Sequence, residues 1–282
     1  MQTIRQLAPL REAVAAWRAA GERVAFVPTM GALHAGHMAL VEEAKLAGDR
    51  VVVSIFVNPT QFAPNEDFAK YPRKEQADSR MLAKAGVDLL WMPPVEVMYP
   101  DGFATTVSVG GIGDLLDGAH RPGHFDGVAT VVTKLFDQVC PHVALFGEKD
   151  WQQLAVIRRL VIDLDLDIEI QGVLTQREDD GLALSSRNAY LDADERARAV
   201  ALPRALGVAE REIAKGAEPE AALAQAREML IAAGFEIDYL TLADAETLGA
   251  PSEGRPMRLL AAARIGGTRL IDNIPLNTND YS

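Results

Sequence analysis

Apolar residues in the first half of the chain follow two alternating spacings. Runs that are apolar at nearly every position predict buried strands at Arg23 to Pro28, Arg50 to Val57, Leu89 to Met92, Val143 to Phe146 and Ile168 to Leu174. Between them, helical spacing predicts helices at Met38 to Ala47, Asp78 to Ala85, Gly127 to Val139 and Trp151 to Leu164. This alternation favours an α/β fold with a Rossmann-like, doubly wound parallel sheet covered on both faces.

The pattern changes near Thr175. A capping-box pair, Asp192 and Glu195, predicts the start of a long helix rich in Ala, Arg and Glu. A second helix and three strands follow, at Glu218 to Ala233, Ile237 to Leu242, Arg258 to Arg264 and Thr268 to Asp272, with Gly266-Gly267 as a tight hairpin. We therefore predict a Rossmann-like domain over residues 1–175 and a smaller C-terminal α+β lid domain over 176–282, with a hinge near Leu174 to Asp180.

Composition narrows the function classes. The 282 residues carry a formal net charge of -12, which disfavours a nucleic-acid partner because the surface repels phosphate backbones. Apolar runs are too short for a membrane span, and the segment after Met1 lacks a signal-peptide pattern, so we expect a cytoplasmic protein. The single cysteine, Cys140, rules out an intrachain disulfide and is expected to be buried.

The strongest chemical signal lies between the first predicted strand and the first predicted helix. It runs from Pro28 to His37, with the order His-X-Gly-His at its end. A glycine turn allows a ligand close to the backbone, and the start of a helix favours phosphate. The two imidazoles, His34 and His37, can stabilise charge that develops on a phosphoryl group. A zinc site is weaker, because no nearby Cys or Glu completes the ligand set.

Two further stretches are candidate phosphate contacts. Phe146 to Gln153 again follows a strand and precedes a helix, and Lys149 within it can hold a phosphate as a point charge. Ser185-Ser186-Arg187, in the proposed hinge, combines two hydroxyls with a guanidinium. Each has an ordinary alternative: a capped helix with a surface lysine for the first, and a common loop sequence for the second.

Two glutamines are candidates for binding a small substrate. Gln61 follows the strand that ends near Val57, and Gln153 follows the strand that ends at Phe146. Ligands of parallel sheets bind at the carboxyl ends of the strands, so both side chains are expected there. For Gln61, a plain turn is an equally good interpretation. His120-Arg121-Pro122-Gly123-His124 is interpreted as a loop, since Pro and Gly interrupt any helix that would align its histidines.

Taken together, these stretches resemble the pantothenate synthetase family, within the His-X-Gly-His nucleotidyltransferase superfamily. The resemblance extends from Val27 to Pro275 and includes Arg121-Pro122-Gly123-His124-Phe125 and Arg269-Leu270-Ile271-Asp272-Asn273. It implies an ATP-dependent pantoate–β-alanine ligase that forms a pantoyl adenylate and releases pyrophosphate, then AMP. It also implies Mg²⁺ with the ATP, and a homodimer.

The resemblance assigns roles by motif. It implies that the 1–175 domain binds nucleotide and pantoate, and that His37, His34 and Lys149 are catalytic. Gln61 and Gln153 would hold pantoate, and Gln176 replaces an expected smaller residue against the adenine. The implied ATP contacts are Met30, Gly31, Ala32, Leu33, His34, Ala35, Gly36, His37, Gly147, Glu148, Lys149, Asp150, Gln176, Ser185, Ser186 and Arg187.

Two alternatives remain open from the residues alone. One is a related nucleotidyltransferase with a different acceptor, since no motif by itself specifies pantoate. The other is a regulatory protein that binds ATP without turnover. A tRNA synthetase is disfavoured by the acidic charge and by the lack of a large appendage for tRNA.

Overall fold

The computed structural model describes residues 1–63 and 66–276. These divide into two compact units. The first comprises Met1–Asp114, Arg121–Glu148 and Gln153–Leu174, and the second comprises Leu115–His120, Lys149–Gln152 and the chain from Thr175 onward. Residues 277–282, the end of the predicted lid domain, lie outside the described residues.

The first unit is built on a six-stranded parallel sheet in the order β1-β4-β3-β2-β5-β6. Its strands are β1 (Gln2–Ile4), β2 (Val24–Thr29), β3 (Arg50–Ile55), β4 (Leu89–Trp91), β5 (Val143–Gly147) and β6 (Glu169–Val173). The helices along this part of the chain are α1 (Leu7–Ala19), α2 (Ala35–Ala47), α3 (Glu75–Lys84), α4 (Val95–Met98), α5 (Leu116–His120), α6 (His124–Val139) and α7 (Trp151–Asp163).

The predicted fold class is confirmed. Strands β2, β3 and β5 are almost entirely buried, which explains why the sequence shows them as continuous apolar runs. The chain moves outward from β2 through β3 to β4, then returns to place β5 on the other side of β2. The sheet therefore has its topological switch point between β2 and β5, where open α/β sheets bind ligands.

A proline ends the pairing at that switch point. Strand β2 pairs with β3 along its full length, but pairs with β5 only at Ala25 and Phe26. Alternate residues of an inner strand face alternate neighbours. The carbonyl of Val24 accepts from His142 at the start of β5, so Pro28, four residues on, also faces β5. Because proline has no N–H to donate, the ladder stops before it. The two strands are thus unpaired where they reach the carboxyl edge.

The second unit contains an antiparallel three-stranded sheet and three further helices. The strands are β7 (Glu236–Asp244), β8 (Met257–Ile265) and β9 (Thr268–Pro275), in the order β7-β8-β9. The helices are α8 (Ala193–Ala199), α9 (Ala201–Ala214) and α10 (Pro219–Ala232). Gly266 and Gly267 both have positive φ and close the predicted hairpin.

Three details differ from the sequence predictions. The capping box of Asp192 and Glu195 is present, but the predicted long helix is two helices, separated at Val200. Strand β1 and helix α1 were not predicted; β1 has only three residues, two of them exposed, so it shows no pattern. The predicted burial of Cys140 is wrong: its backbone is left-handed at the end of α6, and its exposed thiol donates to the carbonyl of Asp137.

Across residues 1–63 and 66–276, no helix combines the length and the apolar character needed to cross a bilayer.

Candidate active site

The turn after β2 is capped by its own histidines. We call residues 30–37 the histidine turn. His34 is the N-cap of α2, and its Nδ1 accepts from the amide of Gly36 at 3.1 Å. His37, three residues on, accepts from the amide of His34 through Nδ1 at 3.3 Å. The two side chains and two amides form a capping box in which imidazoles replace the usual hydroxyl and carboxylate.

This capping sets the chemistry of both rings. A neutral imidazole carries one proton, and a ring whose Nδ1 accepts a hydrogen bond carries that proton on Nε2. His34 and His37 are therefore uncharged Nε2–H donors when their caps are in place. Their ring centroids are 4.1 Å apart. Two adjacent donors without charge suit oxygens of a phosphate chain, while most amides of the turn already donate to protein acceptors, either in the turn or outside it.

A remote carboxylate fixes the first half of the turn. Asp78 of α3 is buried, with 2% of its surface exposed, and accepts from the amides of Ala32 and Leu33 at 2.9 and 3.0 Å. Both Gly31 and Ala32 have positive φ, a conformation that strains a residue with a Cβ. A Cβ on Gly31 would lie 3.2 Å from Oδ2 of Asp78. The carboxylate thus stabilises a backbone that would otherwise be costly.

Strand β3, next to β2, leads into a second turn that carries Gln61. The side chain of Gln61 is buried, and its Oε1 accepts from Nδ2 of Asn58 at 2.9 Å. Asn58 also donates to the carbonyl of Gly127 and accepts from the hydroxyl of Tyr99. Because the oxygen of Gln61 is engaged, a contact with a substrate carboxylate would be made by its amide nitrogen.

The Arg-Pro-Gly-His segment supports the same turn. His124 Nδ1 lies 2.9 Å from the carbonyl of Gln61 and must donate to it, so Nε2 accepts from Arg121 at 3.0 Å. Arg121 also pairs with both oxygens of Glu66, at 2.5 and 2.7 Å. Burial of Glu66 raises the pKa of its carboxyl, but the hydrogen bonds and charge of Arg121 outweigh this and leave the pKa below its ordinary value. The loop prediction holds only for residues 121–123, since His120 ends α5 and His124 begins α6; Arg121 and His124 together orient Gln61.

The turn after β5 begins in the first unit. Gly147 ends β5, which lies beside β2 in the sheet, and Glu148 follows it. Gln153 lies in the first turn of α7 and is half-buried. The first unit therefore places the histidine turn, Gln61, Gly147 and Gln153 after three neighbouring strands, at the carboxyl edge.

The second unit holds the rest of this turn, the residues 149–152, which we call the lysine segment. Lys149 is half-buried and Asp150 is exposed. The carbonyl of Lys149 accepts from Nδ2 of Asn273 at 2.8 Å. Gln152 is buried. Its Nε2 donates to the carbonyl of Leu115, and its Oε1 accepts from the amide of Asp117. The lysine segment is thus attached at both ends to other parts of the second unit.

The second unit also brings two predicted contacts together. The carbonyl of Gln176 accepts from the amide of Leu184 at 2.9 Å, next to a bridge between Arg177 and Ala183. Ser185 then caps a short helical turn, Ser186–Tyr190, by accepting from the amide of Arg187. Gln176 and Ser185 to Arg187 therefore belong to one loop structure.

Several supporting residues were not predicted. Asp78 supports the histidine turn from 45 residues or more away along the chain, Asn58 supports Gln61 from three residues before it, and Asp272 binds Arg177, beside Gln176, from 95 residues away. Only Arg121, His124 and Asp272-Asn273 lay in stretches that the sequence marked as family-like, and there without a role. Among the described residues, no group of three or more His, Cys, Asp or Glu side chains is arranged to hold a metal ion.

A parallel sheet with a His-X-Gly-His turn at its switch point defines an α/β protein whose ligand site is expected at the carboxyl edge of the sheet. A family model described as pantoate-beta-alanine ligase matches residues 2–275. A pantothenate synthetase from Rhizorhabdus wittichii is 62% identical over 276 residues, covering 97% of this chain and 98% of that protein.

Solved structures agree with this family model. The chain is similar to the crystal structure of pantothenate synthetase from Thermus thermophilus, with a TM-score of 0.93, 49% identity, and coverage of 98% and 99% of the two chains. It is also similar to pantoate-beta-alanine ligase from Francisella tularensis, solved with β,γ-ATP and β-alanine, with a TM-score of 0.82, 35% identity and coverage of 98% and 97%. The chain belongs to the pantoate–β-alanine ligase family. It is therefore an ATP-binding ligase of pantothenate biosynthesis.

Proposed function

We propose that this chain joins pantoate to β-alanine in two steps at the site described above. In the first, a carboxylate oxygen of pantoate attacks the α-phosphorus of ATP; the bond from that phosphorus to the bridging oxygen breaks, and pyrophosphate leaves. In the second, the amine of β-alanine attacks the acyl carbon, the acyl–oxygen bond breaks, and AMP leaves as the amine loses a proton. The family membership and the switch-point position of the histidine turn support this reaction.

The observation that carries the proposal is that Nδ1 of His34 and Nδ1 of His37 each accept a backbone hydrogen bond, which makes both rings Nε2–H donors. The attacking group is the substrate's own carboxylate, so the protein needs no nucleophile. It needs donors positioned where negative charge grows on the phosphoryl oxygens and on the leaving pyrophosphate. His37 and His34 supply two such donors, and Lys149 supplies a cation. We assign these three residues the catalytic roles.

Pantoate binding is assigned to Gln61 and Gln153. A pantoate carboxylate accepts hydrogen bonds, and the described geometry leaves the amide nitrogen of Gln61 to donate one. An amide binds the acid without a charge of its own, whereas a Glu would repel the carboxylate that must attack. The nucleotide contacts are assigned to Met30 through His37, Gly147 through Asp150, Gln176, and Ser185 through Arg187.

Mg²⁺ is proposed to enter with ATP. Because no acidic cluster is found among the described residues, the chain itself does not offer a ready ligand set. Mg²⁺ is commonly bound through substrate phosphates and water, and its role here would be to neutralise phosphate charge. We also propose a cytoplasmic homodimer, and functional domains at residues 1–175 and 176–282, on the resemblance to the family.

The test is an omission assay with purified protein. Pantothenate, AMP and pyrophosphate should form in equal amounts only when ATP, pantoate and β-alanine are all present. Without β-alanine, pyrophosphate exchange into ATP should still require pantoate. If other hydroxy acids support exchange as well as pantoate does, the enzyme is a nucleotidyltransferase with another acceptor. ATP binding with no exchange would contradict the ligase proposal altogether.

A further inference from the structure

The end of strand β9 contacts both nucleotide-binding parts of the second unit. Asp272 and Asn273 are consecutive and buried, each with 3% of its surface exposed. Side chains of consecutive strand residues project to opposite faces, so the two can bind different partners. Buried polar side chains in a strand require such partners, and each of these has a specific one.

Asn273 holds the lysine segment. Its Nδ2 donates to the carbonyl of Lys149 at 2.8 Å, while its Oδ1 accepts from Arg258. The neighbours fix the orientation of the amide, because a carbonyl requires a donor and a guanidinium requires an acceptor. The bond to Lys149 fixes the peptide plane that follows it, and with it the direction in which the Lys149 side chain leaves the backbone.

Arg258 extends this hold to the next turn. Its guanidinium lies 3.4 Å from the ring centroid of Trp151, a close cation–π stack. The indole N–H of Trp151 donates to the carbonyl of Ala245 at 2.7 Å. The lysine segment is therefore clamped by side chains of β8 and β9 and by the chain just after β7.

Asp272 holds the other nucleotide segment. It forms a paired salt bridge with Arg177, with oxygen–nitrogen distances of 2.7 and 2.9 Å. Arg177 is the residue next to Gln176, and its side chain also donates to the carbonyl of Gly181. The buried carboxylate thus fixes Arg177, at the start of the loop that carries Ser185 to Arg187.

We propose that Asp272 and Asn273 are positioning residues that set the nucleotide contacts of the second unit relative to each other. Asn273 acts through Lys149, and Asp272 acts through Arg177 on the loop at Gln176 and Ser185 to Arg187. The proposal rests on the nucleotide roles proposed above. Neither residue is assigned a contact with the substrate; each determines where a binding group points.

The sharpest variant is Asn273→Asp, which keeps the shape of the side chain and an acceptor for Arg258. It replaces the donor that faces Lys149 with an oxygen, so the bond to the carbonyl is lost. The apparent KM for ATP should rise about tenfold, equivalent to about 1.4 kcal/mol. The KM values for pantoate and β-alanine should stay within about twofold of wild type.

A double-mutant cycle tests whether Asn273 changes the KM for ATP by positioning Lys149. In a Lys149→Ala background, Asn273→Asp should add nothing to the KM for ATP, because the cation it positions is gone. Leu270→Ala, a buried apolar change in the same strand, is the control: it should lower the melting temperature and leave the KM for ATP unchanged.

The second variant, Asp272→Asn, keeps the proposal testable if Asn273→Asp does not fold. It should raise the KM for ATP and increase hydrogen exchange over residues 176–188. The proposal is overturned if both variants lower only the melting temperature, or if Asn273→Asp and Lys149→Ala contribute additively to the KM for ATP. If Lys149 does not bind ATP at all, the result is different: the Lys149→Ala enzyme keeps wild-type ATP affinity. That outcome also overturns the proposal that Asn273 positions Lys149 for ATP.

Discussion

The histidine turn and the lysine segment serve the same proposed ligand but are stabilised in different ways. The histidine turn is capped within four residues by its own side chains, with Asp78 as its remote support. The lysine segment depends on partners far along the chain, including Asn273, which is 124 residues away. A locally built turn keeps its geometry when distant parts change, whereas the lysine segment follows the sheet that holds it.

The largest expected effect is on chemistry at the histidine turn. His37→Ala removes a donor aimed at developing charge, which should slow adenylate formation about 10²–10³-fold. His37→Asn is the matched variant, since its Oδ1 can replace Nδ1 as the cap but it has no Nε2–H. Pyrophosphate exchange should show equal rate losses for the two variants. Thermal melts should show that the Asn variant is closer to wild-type stability than the Ala variant. A near-normal rate in either would remove His37 from the chemistry.

The second largest effect is expected from removing the charge of Lys149 in the lysine segment. Lys149→Ala should weaken ATP binding about 10–100-fold, the range expected for a charge-assisted contact worth about 1.5–3 kcal/mol. The fold should be unaffected, because the contact to Asn273 is made by the backbone of Lys149. Calorimetric titration with a non-hydrolysable ATP analogue gives the affinity. Lys149→Arg should recover part of it; equal losses in the two variants would argue against a simple charge effect.

Asp78→Asn tests the remote support of the histidine turn. One of its two acceptors becomes a donor facing an amide, so unfolding free energy should fall by about 1.5–3 kcal/mol and the KM for ATP should rise. Asp88→Asn is the control, because Asp88 accepts from the amide of Val51 in the same sheet without touching this turn. The free energy of unfolding, measured with urea, should fall in both variants. If the KM for ATP rises equally in both, Asp78 is only a stabilising residue.

The smallest effect is expected on the stability of the turn that carries Gln61. This turn is held both by Asn58, three residues away, and by Arg121, 60 residues away. Glu66 has a lowered pKa in the folded protein, so its ion pair with Arg121 stabilises the fold above the ordinary carboxyl pKa of 4.5. That contribution is lost as the pH falls from 4.5 through the lowered value. We expect less than about 1 kcal/mol, because the pair is partly solvated. Glu66→Gln should flatten this part of the stability profile, and a profile identical to wild type would contradict the assignment.

The same contrast explains what the sequence could reveal. The buried strands were predictable because a parallel sheet covered on both faces requires continuous apolar runs. The histidine turn was predictable because its cap, its glycine and its donors are adjacent in the chain. Asp78 was not, since it lies on α3 among charged residues and looks like a surface carboxylate. Nor was the pairing of Lys149 with Asn273, because nothing local to Lys149 indicates a partner in the last strand.

The long helix predicted after Asp192 shows another limit. Helix propensity and the capping box were correct, but the signal of Pro203 was missed. Proline has no N–H to donate, and inside a continuous helix its ring would clash with the carbonyl four residues earlier, that of Ala199. The helix therefore breaks at Val200, and Pro203 falls in the first turn of α9, where proline is tolerated.

Pro28 has a consequence for protein engineering. It leaves β2 and β5 unpaired at the carboxyl edge, where the ligand is proposed to bind, and so one ladder hydrogen bond is missing within the core of the sheet. A search for stabilising substitutions would select a β-branched residue such as Val here, since it restores the donor. Pro28→Val should raise the melting temperature while slowing turnover, a trade-off between stability and activity located in one residue. A variant that gained both would show that the opening between these strands is not needed for catalysis.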